Sequence, residues 1–422
     1  MKPNKNKKVN AWLNELASKA KPDVNECIEY LGENFEWLYE LKNTPQDPEW
    51  HAEGNVHVHT DMVLAELYNL LDNEASHFNG KQRQALILGA LFHDIAKPMR
   101  TKEVEINDVL RVASPQHESV GRSYLAFKLM ELELEFDVVW NVLGLVGEHH
   151  MPKLLAVRNK AKGDYLALSR RANLELLYWL ETADMKGRTC PDLPLQLQHL
   201  AEFKMFAEEY GVWNKPHSLE LDFISLVESE SDSVASYIKA HAVSELERGV
   251  ISLPIEAVAR TYEYKQNYSN LIVICGPSGS GKTTWIGNHC ADHVLISLDD
   301  IREEINGDRR NQKNKGKVIH LARDRLKQAL RDKQDIVWDA TNLRSDFRKI
   351  ICDLGRDYHA LVTIVLFMLP ESIIYQNNRN REYAVPEDVL LKQFEDFQFP
   401  LVDEAHYFQI IGEKGELLYS NK

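Results

Sequence analysis

Apolar residues are spaced differently in the two parts of the chain. Over residues 11–42, and again from about 58 to 250, they recur mostly at helical intervals without convincing alternation. Beyond residue 268, short β-rich runs alternate with helix-like segments, which is typical of a parallel α/β sheet. The pattern therefore predicts a multidomain protein, with an all-α part followed by an α/β part. The predicted strands are Leu271–Cys275, Val294–Leu298, Ile336–Trp338 and Leu361–Phe367.

A polar segment at residues 262–270 is the natural linker between these two parts. With 422 residues, the chain is long enough for two domains that each bury a core of their own. We predict a helical extension at residues 1–45, a helical domain at 46–262 and an α/β domain at 268–422.

The amino-acid composition excludes some functional classes and cellular locations. The formal net charge of −14 argues against a protein that coats nucleic acid, although a local basic groove remains compatible with it. The five cysteines are scattered and form no CxxC pair, which predicts neither a disulfide framework nor a cysteine zinc site and fits the cytoplasm. The Lys-rich start is followed by no apolar segment, and no stretch approaches a membrane span. We expect a cytoplasmic protein without membrane association.

A complete phosphate-binding motif follows the first predicted strand. Glycine-permitted turns aim successive backbone N–H groups at phosphates, and the following helix adds its positive N-terminal dipole. Lys282 would reach the β- and γ-phosphates, and Thr283 would bind Mg²⁺. A chance glycine-rich turn is the alternative. The residues predicted to bind the nucleotide are Gly276, Ser278, Gly279, Ser280, Gly281, Lys282, Thr283 and Thr284.

Charged residues follow the later strands, where ligands of α/β sheets bind. Asp299 could accept the proton of an attacking hydroxyl, and Arg302 could hold an acceptor phosphate. Asp339 directly follows a strand and could serve as the carboxylate associated with Mg²⁺. Arg379 and Arg381 could clamp the donor phosphates from a lid. For Asp299 and Arg302 the alternative is a solvated helix start. For Asp339 it is a simple strand-end turn, and for the two lid arginines it is a solvated helix end.

Four segments, GPSGSGKTTW, LDDIR, DATNL and AVPEDVL, occur in this order over roughly residues 270–400. In this the chain resembles the phage and bacterial 5′-hydroxyl polynucleotide kinases. DATN has one more residue between Asp and Asn than the phage form, and the lid arginines are closer together. The resemblance implies ATP or another NTP as donor, with Lys282 and Thr283 at its phosphates and Mg²⁺, Asp299 as general base, Arg302 at the acceptor phosphate, and Arg379 and Arg381 in the lid.

Histidine and aspartate residues recur on consecutive predicted helices of the first part. Imidazole and carboxylate groups on facing helices can converge on one or two divalent cations, which bind phosphoryl groups and generate hydroxide near neutral pH. A single histidine is more often packed or capping, so the prediction depends on the whole set. The set is His59, His93, Asp94, His117, His149, His150 and Asp184.

This set resembles the metal ligands of the HD phosphohydrolase superfamily. The sequence segments HTDMVL, LFHDIAKP and HHMP are most similar to those of the HD domain of bacterial tRNA nucleotidyltransferases. That branch is associated with 2′,3′-cyclic phosphodiesterase and 2′-phosphatase chemistry. Lys97 could contact substrate phosphate or lie in solvent. The metal could be Mn, Ni, Co, Fe or Zn. The resemblance implies that His59, His93, Asp94, His117, Asp184 and His150, in preference to His149, are the ligands, with Asp94 also catalytic.

Together the two parts resemble bacterial HD–polynucleotide kinase fusions that heal broken nucleic-acid ends. Such an enzyme acts on RNA or DNA ends, one domain clearing a 2′,3′-cyclic phosphate and the other phosphorylating a 5′-hydroxyl, so that a ligase can join them. The main alternative is a small-molecule or nucleotide kinase fused to an HD nucleotide hydrolase. A non-catalytic, metal-stabilised scaffold is the third hypothesis.

Overall fold

The computed structural model describes residues 3–106 and 108–422. The chain forms two compact units, residues 1–217 and residues 218–422. This packing boundary precedes the polar linker, while the assignment of residues 46–262 and 268–422 to separate domain families stays a prediction. Within the described residues, no helix is long and apolar enough to cross a membrane.

The first unit is a helical bundle with one small β-hairpin. Its elements are α1 (Pro3–Leu16), α2 (Val24–Leu31), α3 (Val56–Asp72), α4 (Gly80–Phe92), α5 (Lys97–Arg100), β1 (Lys102–Ile106), β2 (Val109–Ala113), α6 (His117–Lys128), α7 (Phe136–Glu148), α8 (Met151–Val157), α9 (Lys162–Arg171), α10 (Leu174–Lys186) and α11 (Leu193–Glu209), with 3₁₀ helices at Glu36–Asn43 and Leu129–Glu131.

The N-terminal segment is not one helix over residues 11–42. The first helix begins at Pro3, and the chain breaks before α2, where Pro22 lacks an N–H and the carboxylate of Asp23 accepts from the N–H of Glu26 at 2.8 Å. Trp12 is buried, and Gln84 of α4 donates to the carbonyl of Leu13 at 2.6 Å. The extension at residues 1–45 therefore packs as part of the bundle.

The prediction that the first part is entirely helical was wrong at one place. Strands β1 and β2 pair antiparallel, from Lys102 opposite Ala113 to Ile106 opposite Val109. Asp108 turns the hairpin with a φ of 62°, a conformation that Asp adopts more readily than most residues. Val109 and Leu110 of β2 are adjacent and exposed, and no residue of this strand is fully buried, so β2 lacks the alternation that would mark a strand in the sequence.

The second unit is an α/β structure. Its strands are β3 (Asn270–Cys275), β4 (Val294–Ser297), β5 (Ile336–Asp339), β6 (Leu361–Phe367), β7 (Tyr407–Ile411) and β8 (Leu417–Ser420), and its helices are α12 (Leu221–Val227), α13 (Asp232–Glu247), α14 (Glu256–Thr261), α15 (Lys282–His289), α16 (Leu298–Asn306), α17 (Lys315–Arg331), α18 (Ser345–Asp357), α19 (Glu371–Asn380) and α20 (Glu387–Glu395), with a 3₁₀ helix at Val402–Glu404.

The sheet has the order β4-β5-β3-β6-β7-β8, and only β8 runs antiparallel. The predicted α/β class with a parallel sheet is thus confirmed. Strand β3 lies inside the sheet between β5 and β6, and its residues 273–275 are buried because both faces of the sheet are covered. The carboxyl ends of β3, β4 and β5 therefore meet at one edge, which positions the phosphate-binding loop.

Helices α12 to α14 pack with the second unit, although their apolar spacing continues that of the helical part. The hydroxyl of Tyr237 donates to the carbonyl of His359 at 2.9 Å, and the hydroxyl of Tyr407 donates to the carbonyl of Ser236 at 3.1 Å. Tyr237 and Tyr407 also share a buried apolar cluster with Leu361 of β6. Helical periodicity alone cannot show which core a helix joins, since it reports only that one face is buried.

Candidate functional site

The bundle brings the predicted histidines and aspartates together at its centre. His59 lies on α3, His93 and Asp94 follow α4, and Asp184 lies in the last turn of α10. Each of these elements packs its apolar face into the bundle, so the polar side chains are carried inward with it. All members of the set are buried except His150, which is partly exposed; the others are His59, His93, Asp94, His117, His149 and Asp184.

Four side chains form a first group of facing ligand atoms. The Nε2 atoms of His59 and His93 are 3.3 Å apart. Asp184 Oδ1 lies 3.0 Å from His59 Nε2, and Asp94 Oδ2 lies 3.2 Å from His93 Nε2. Imidazole nitrogens and carboxylate oxygens from three separate helical segments thus surround one small volume.

A second group lies on the other side of Asp94. Here the Nε2 atoms of His117 and His149 are 3.3 Å apart, and Asp94 Oδ1 lies 3.1 Å from His117 Nε2. His150 belongs to the same group, because its ring offers a ligand atom within 4.8 Å of those of His117 and His149. Asp94 therefore turns one carboxylate oxygen to each group, as a carboxylate that bridges two cations does.

Hydrogen bonds at the far side of the rings determine which nitrogen is available. In His93, His117 and His149, Nδ1 lies 2.7–2.9 Å from the main-chain carbonyl oxygen three residues earlier. A carbonyl only accepts, so each Nδ1 carries the proton and each Nε2 presents a lone pair. Asp94 Oδ1 is buried among these lone pairs without a hydrogen-bond donor. Such an arrangement is unfavourable unless a cation lies between the groups.

Three further imidazoles lie against carboxylates. Nδ1 of His59 lies 3.0 Å from Glu53 Oε1, and Nδ1 of His51 lies 2.8 Å from the same oxygen. Burial alone would raise the pKa of Glu53, but the two imidazoles beside it hold the pKa well below its ordinary value. Nδ1 of His150 similarly lies 2.8 Å from Glu118 Oε1. A carboxylate behind an imidazole fixes its tautomer and increases its basicity as a ligand.

The donor set fits a divalent transition metal. Metal–nitrogen bonds of about 2.0–2.1 Å put two ligands of one ion about 3.0–3.4 Å apart, which matches both imidazole pairs. Burial holds the pKa of His149 well below its ordinary value, so the ring is neutral and free to bind a cation. The structure brings His149 and His150 to the same group, with His149 the deeper of the two. The preference for His150 as the ligand stays a prediction.

A cavity of about 410 Å³ opens beside the second group. Lys97, Lys153 and Arg188 line it together with His117 and His150, so a phosphate ester entering it would meet cations on several sides. Lys97 Nζ lies 2.7 Å from Asp94 Oδ2 and donates to Gln46 at 2.7 Å. Lys97 is thus buried at the centre and does not lie in solvent, and its contact with substrate stays a prediction.

Several residues of this centre were not found by sequence reasoning. They are His51, Glu53, Glu118 and Arg188. Burial alone would raise the pKa of Asp184, but the Arg188 guanidinium beside it holds that pKa well below its ordinary value. Glu53 and His51 belong to a loop, so no periodicity relates them to His59. His57, on the same helix as His59, lies instead at the surface with its Nε2 3.2 Å from Asn25 Oδ1.

The second candidate site is the loop between β3 and α15. Gly276, Gly279 and Gly281 have φ values of 152°, 88° and 88°, which residues with a Cβ rarely adopt. A Cβ on Gly279 would lie 2.6 Å from the carbonyl oxygen of Ile374. The glycines are therefore required by the turn itself, and Lys282 then begins α15.

The charged groups predicted around this loop converge on Lys282. Its ammonium donates to the carbonyl of Pro277 at 2.6 Å, and burial lowers the pKa of Lys282 to about 8. Asp339, Arg381 and Asp299 all contribute to the electrostatic field at Lys282. Burial raises the pKa of Asp339, which ends β5. Ser280, Thr283 and Thr284 lie in the same turn and the first turn of α15, and Ser278 donates its N–H to Gln393 at 2.8 Å.

Asp299 and Arg302 lie in the first turns of α16, where Ser297 caps the helix. Their side chains form an ion pair, and Arg302 also donates to the carbonyl of Arg309 at 3.1 Å. Arg379 and Arg381 lie at the end of α19. Arg379 is paired with Glu387 at 2.7 Å at the surface, whereas Arg381 contributes to the electrostatic field at Lys282.

Residues 271–400 match a family model described as an AAA domain. This part of the chain is a P-loop domain of the NTPase and kinase type, with nucleotide-binding character and the features of a phosphotransferase. The match ends within the second unit, so it says nothing about the histidine centre. No curated protein matches the chain significantly.

Proposed function

We propose that the chain is a bifunctional end-healing enzyme for nucleic acids. The P-loop domain transfers the γ-phosphate of an NTP to a 5′-hydroxyl end. The helical bundle is an HD phosphohydrolase that removes a 2′,3′-cyclic phosphate or a terminal 2′- or 3′-phosphate. The observation that carries the proposal is the histidine centre, because imidazole lone pairs aimed at one another beside bridging Asp94 serve metal-dependent phosphoester hydrolysis, which complements the kinase.

In the bundle, His59, His93, Asp94 and Asp184 would hold one divalent metal, and Asp94, His117 and His149 or His150 would hold a second. Such ions supply a hydroxide near neutral pH and neutralise phosphate charge. Lys97, Lys153 and Arg188 bind the phosphate of the end group in the cavity. Glu53 and Glu118 keep the imidazoles in the tautomer that leaves Nε2 free.

In the P-loop domain, Lys282 and the backbone N–H groups of the loop bind the donor phosphates, and Thr283 and Asp339 would hold the Mg²⁺ that neutralises phosphate charge. The carboxylate of Asp299 accepts the proton of the 5′-hydroxyl as its oxygen bonds to the γ-phosphorus and the bond to the β-phosphate oxygen breaks, releasing NDP. The ion pair with Arg302 orients Asp299, and the Arg302 guanidinium is placed to bind the phosphate next to that hydroxyl. Arg381 steadies the charge on the transferred group.

The test uses one RNA oligonucleotide with a 5′-hydroxyl and a 2′,3′-cyclic phosphate, incubated with Mg²⁺-ATP and separately with Mn²⁺, Ni²⁺, Co²⁺, Fe²⁺ or Zn²⁺. Mass spectrometry should show one phosphate added at the 5′ end and the cyclic phosphate opened or removed. If neither end changes while ATP or a free nucleotide is hydrolysed, the enzyme is a small-molecule kinase with a nucleotide hydrolase. The corresponding DNA oligonucleotide shows which nucleic acid is preferred.

A further inference from the structure

The acceptor side of the P-loop domain contains a cavity that the proposed chemistry leaves largely unused. It encloses about 400 Å³, which lies within the ~300–1,000 Å³ of small-ligand sites. Arg302 and residues 340–342, which follow β5, form the part next to Asp299. Much of the remaining wall comes from α17 and α18, and Gln393 of α20 and Asp396 after it also line the cavity. The cavity therefore extends from the site of phosphoryl transfer toward residues with no assigned role.

Helix α17 turns one face to this cavity. Lys315, Val318, Ile319 and Arg323 all line it, and their spacing of three, four and eight residues places them on one side of a helix. Val318 is buried in the core, so it anchors this face while the two cations extend beside it. Arg325 of the same helix is not part of the cavity lining and is engaged by Glu304 at 2.7 and 2.9 Å.

Arg323 is the most informative residue of this wall. Its Nε is buried without a hydrogen-bond partner. A guanidinium has five N–H donors and stays charged at any physiological pH, so leaving a buried donor unused costs free energy unless a ligand supplies an acceptor. In the cavity lining, four cations (Arg302, Lys315, Arg323 and Arg344) face one acidic residue, Asp396, within a chain of net charge −14. The cavity is thus a local basic site suited to a polyanion.

The α18 side adds an aromatic surface. Phe347 is 43% exposed and lines the cavity, and the guanidinium of Arg344 lies 5.3 Å from its ring centre. Arg344 is also paired with Asp346, which keeps part of its charge satisfied. An exposed ring in a basic cavity is how proteins bind single-stranded nucleic acid without reading its sequence, because any base can stack on the ring.

We propose that this cavity binds the second nucleotide of a single-stranded acceptor, with Arg323 and Lys315 on the phosphate after the one held by Arg302 and a base stacked on Phe347. The proposal rests on the proposed kinase function. It goes further by assigning the selection of polynucleotides over nucleotides to the α17 wall. Arg323 contacts substrate away from the reacting atoms and therefore determines specificity.

The experiment measures kinase KM and kcat with the full chain and three 5′-hydroxyl acceptors: a nucleoside 3′-monophosphate, a dinucleotide with a 3′-phosphate and a ten-nucleotide single strand. Arg323→Ala should raise KM about ten- to a hundredfold for the two longer acceptors, the usual effect of losing a hydrogen bond to a charged group, with little change for the monophosphate. Arg325→Ala is the matched control, since it removes the same charge from the same helix at a residue that is paired with Glu304 and is not part of the cavity lining, and it should leave all three values unchanged.

The dependence of oligonucleotide affinity on salt provides a second readout. One lost phosphate contact should reduce the slope of log K against log salt by about 0.7 in Arg323→Ala. An equal KM change for all three acceptors, or no change in a folded Arg323→Ala protein, would overturn the inference and leave the proposed function standing. If the wild-type chain phosphorylates none of the three acceptors, the proposed function itself fails, and the inference fails with it.

Discussion

The two centres of this protein are assembled in opposite ways. The P-loop centre takes most of its nucleotide-binding groups from one contiguous segment, whose glycines and helix start impose the geometry locally. The histidine centre takes its groups from loops and helices that lie between residues 51 and 188 and meet only when the bundle packs. N–H donors and a lysine suit the P-loop centre to anions, and imidazole lone pairs suit the histidine centre to cations.

This difference has consequences for how each centre responds to change. A contiguous loop loses function when one of its own residues is altered, and changes elsewhere in the fold affect it little. A centre collected from distant segments depends also on the groups behind its ligands, because these hold each ring in position. Variants at the two centres should therefore differ both in which activity they affect and in how far from the chemistry they act.

The largest expected effects separate the two activities. Lys282→Ala removes the cation that holds the donor phosphates and should lower kinase activity roughly 10³-fold or more, leaving phosphoesterase activity intact. Asp94→Ala removes the carboxylate shared by both histidine groups and should do the reverse. Both activities are measured on one RNA with the two reactive ends, and circular dichroism checks the fold. Loss of both activities from either change in folded protein would contradict two separate sites.

Glu53 tests the dependence on groups behind the ligands. Glu53→Gln replaces the acceptor of the His59 and His51 protons by a weaker one and should lower metal affinity about ten- to a hundredfold. Equilibrium metal titration measures the effect without using activity. Glu49→Gln is the control, because its carboxylate belongs to the same loop but pairs with Arg111. Equal affinities in the two variants would show that Glu53 does not position His59.

The pH dependence of nucleotide binding should reflect the buried lysine. Because burial lowers the pKa of Lys282 to about 8, its positive charge is present below that pH and is lost as the pH rises through it. ATP affinity should therefore fall by up to about tenfold between pH 7 and pH 9, where an exposed lysine would stay charged. Fluorescence titration at several pH values measures it. A flat profile to pH 10 would mean that Lys282 keeps an ordinary pKa.

The smallest effects distinguish the two lid arginines. Arg381 acts on the field at Lys282, whereas Arg379 is engaged by Glu387 at the surface. Arg381→Ala should lower kcat for the kinase by about tenfold, and Arg379→Ala by less than about threefold, since exposed ion pairs contribute little. Steady-state kinetics with saturating ATP measures kcat for both variants. The reverse order would mean that Arg379 leaves Glu387 and swings to the phosphates when nucleotide binds.

Local patterns in the sequence predicted the P-loop domain well. Strands β3 to β6 follow from short apolar runs, and the loop after β3 follows from glycines whose backbone conformations other residues avoid. The helical character of the first part was equally accessible from periodicity. These features depend on neighbours in the chain, so the sequence alone carries them.

Features that depend on tertiary packing could not be predicted from local sequence patterns. Glu53 and His51 join the histidine centre from a loop, Arg188 joins it through Asp184, and helices α12 to α14 pack against the sheet of the second unit. The hairpin β1–β2 was missed because the apolar residues of β2 do not alternate with polar ones and none of them is fully buried. Arg323 carries no motif and becomes notable only because its buried Nε has no partner.

The most direct test of the proposed metal centre is the metal content of the purified protein, measured by inductively coupled plasma mass spectrometry after exposure to divalent transition metals and desalting. We expect one or two bound ions per chain in the wild type and in Lys282→Ala, and their loss in Asp94→Ala. A folded wild-type protein that retains no transition metal at micromolar free concentrations would contradict it, since the facing Nε2 atoms would then need another explanation.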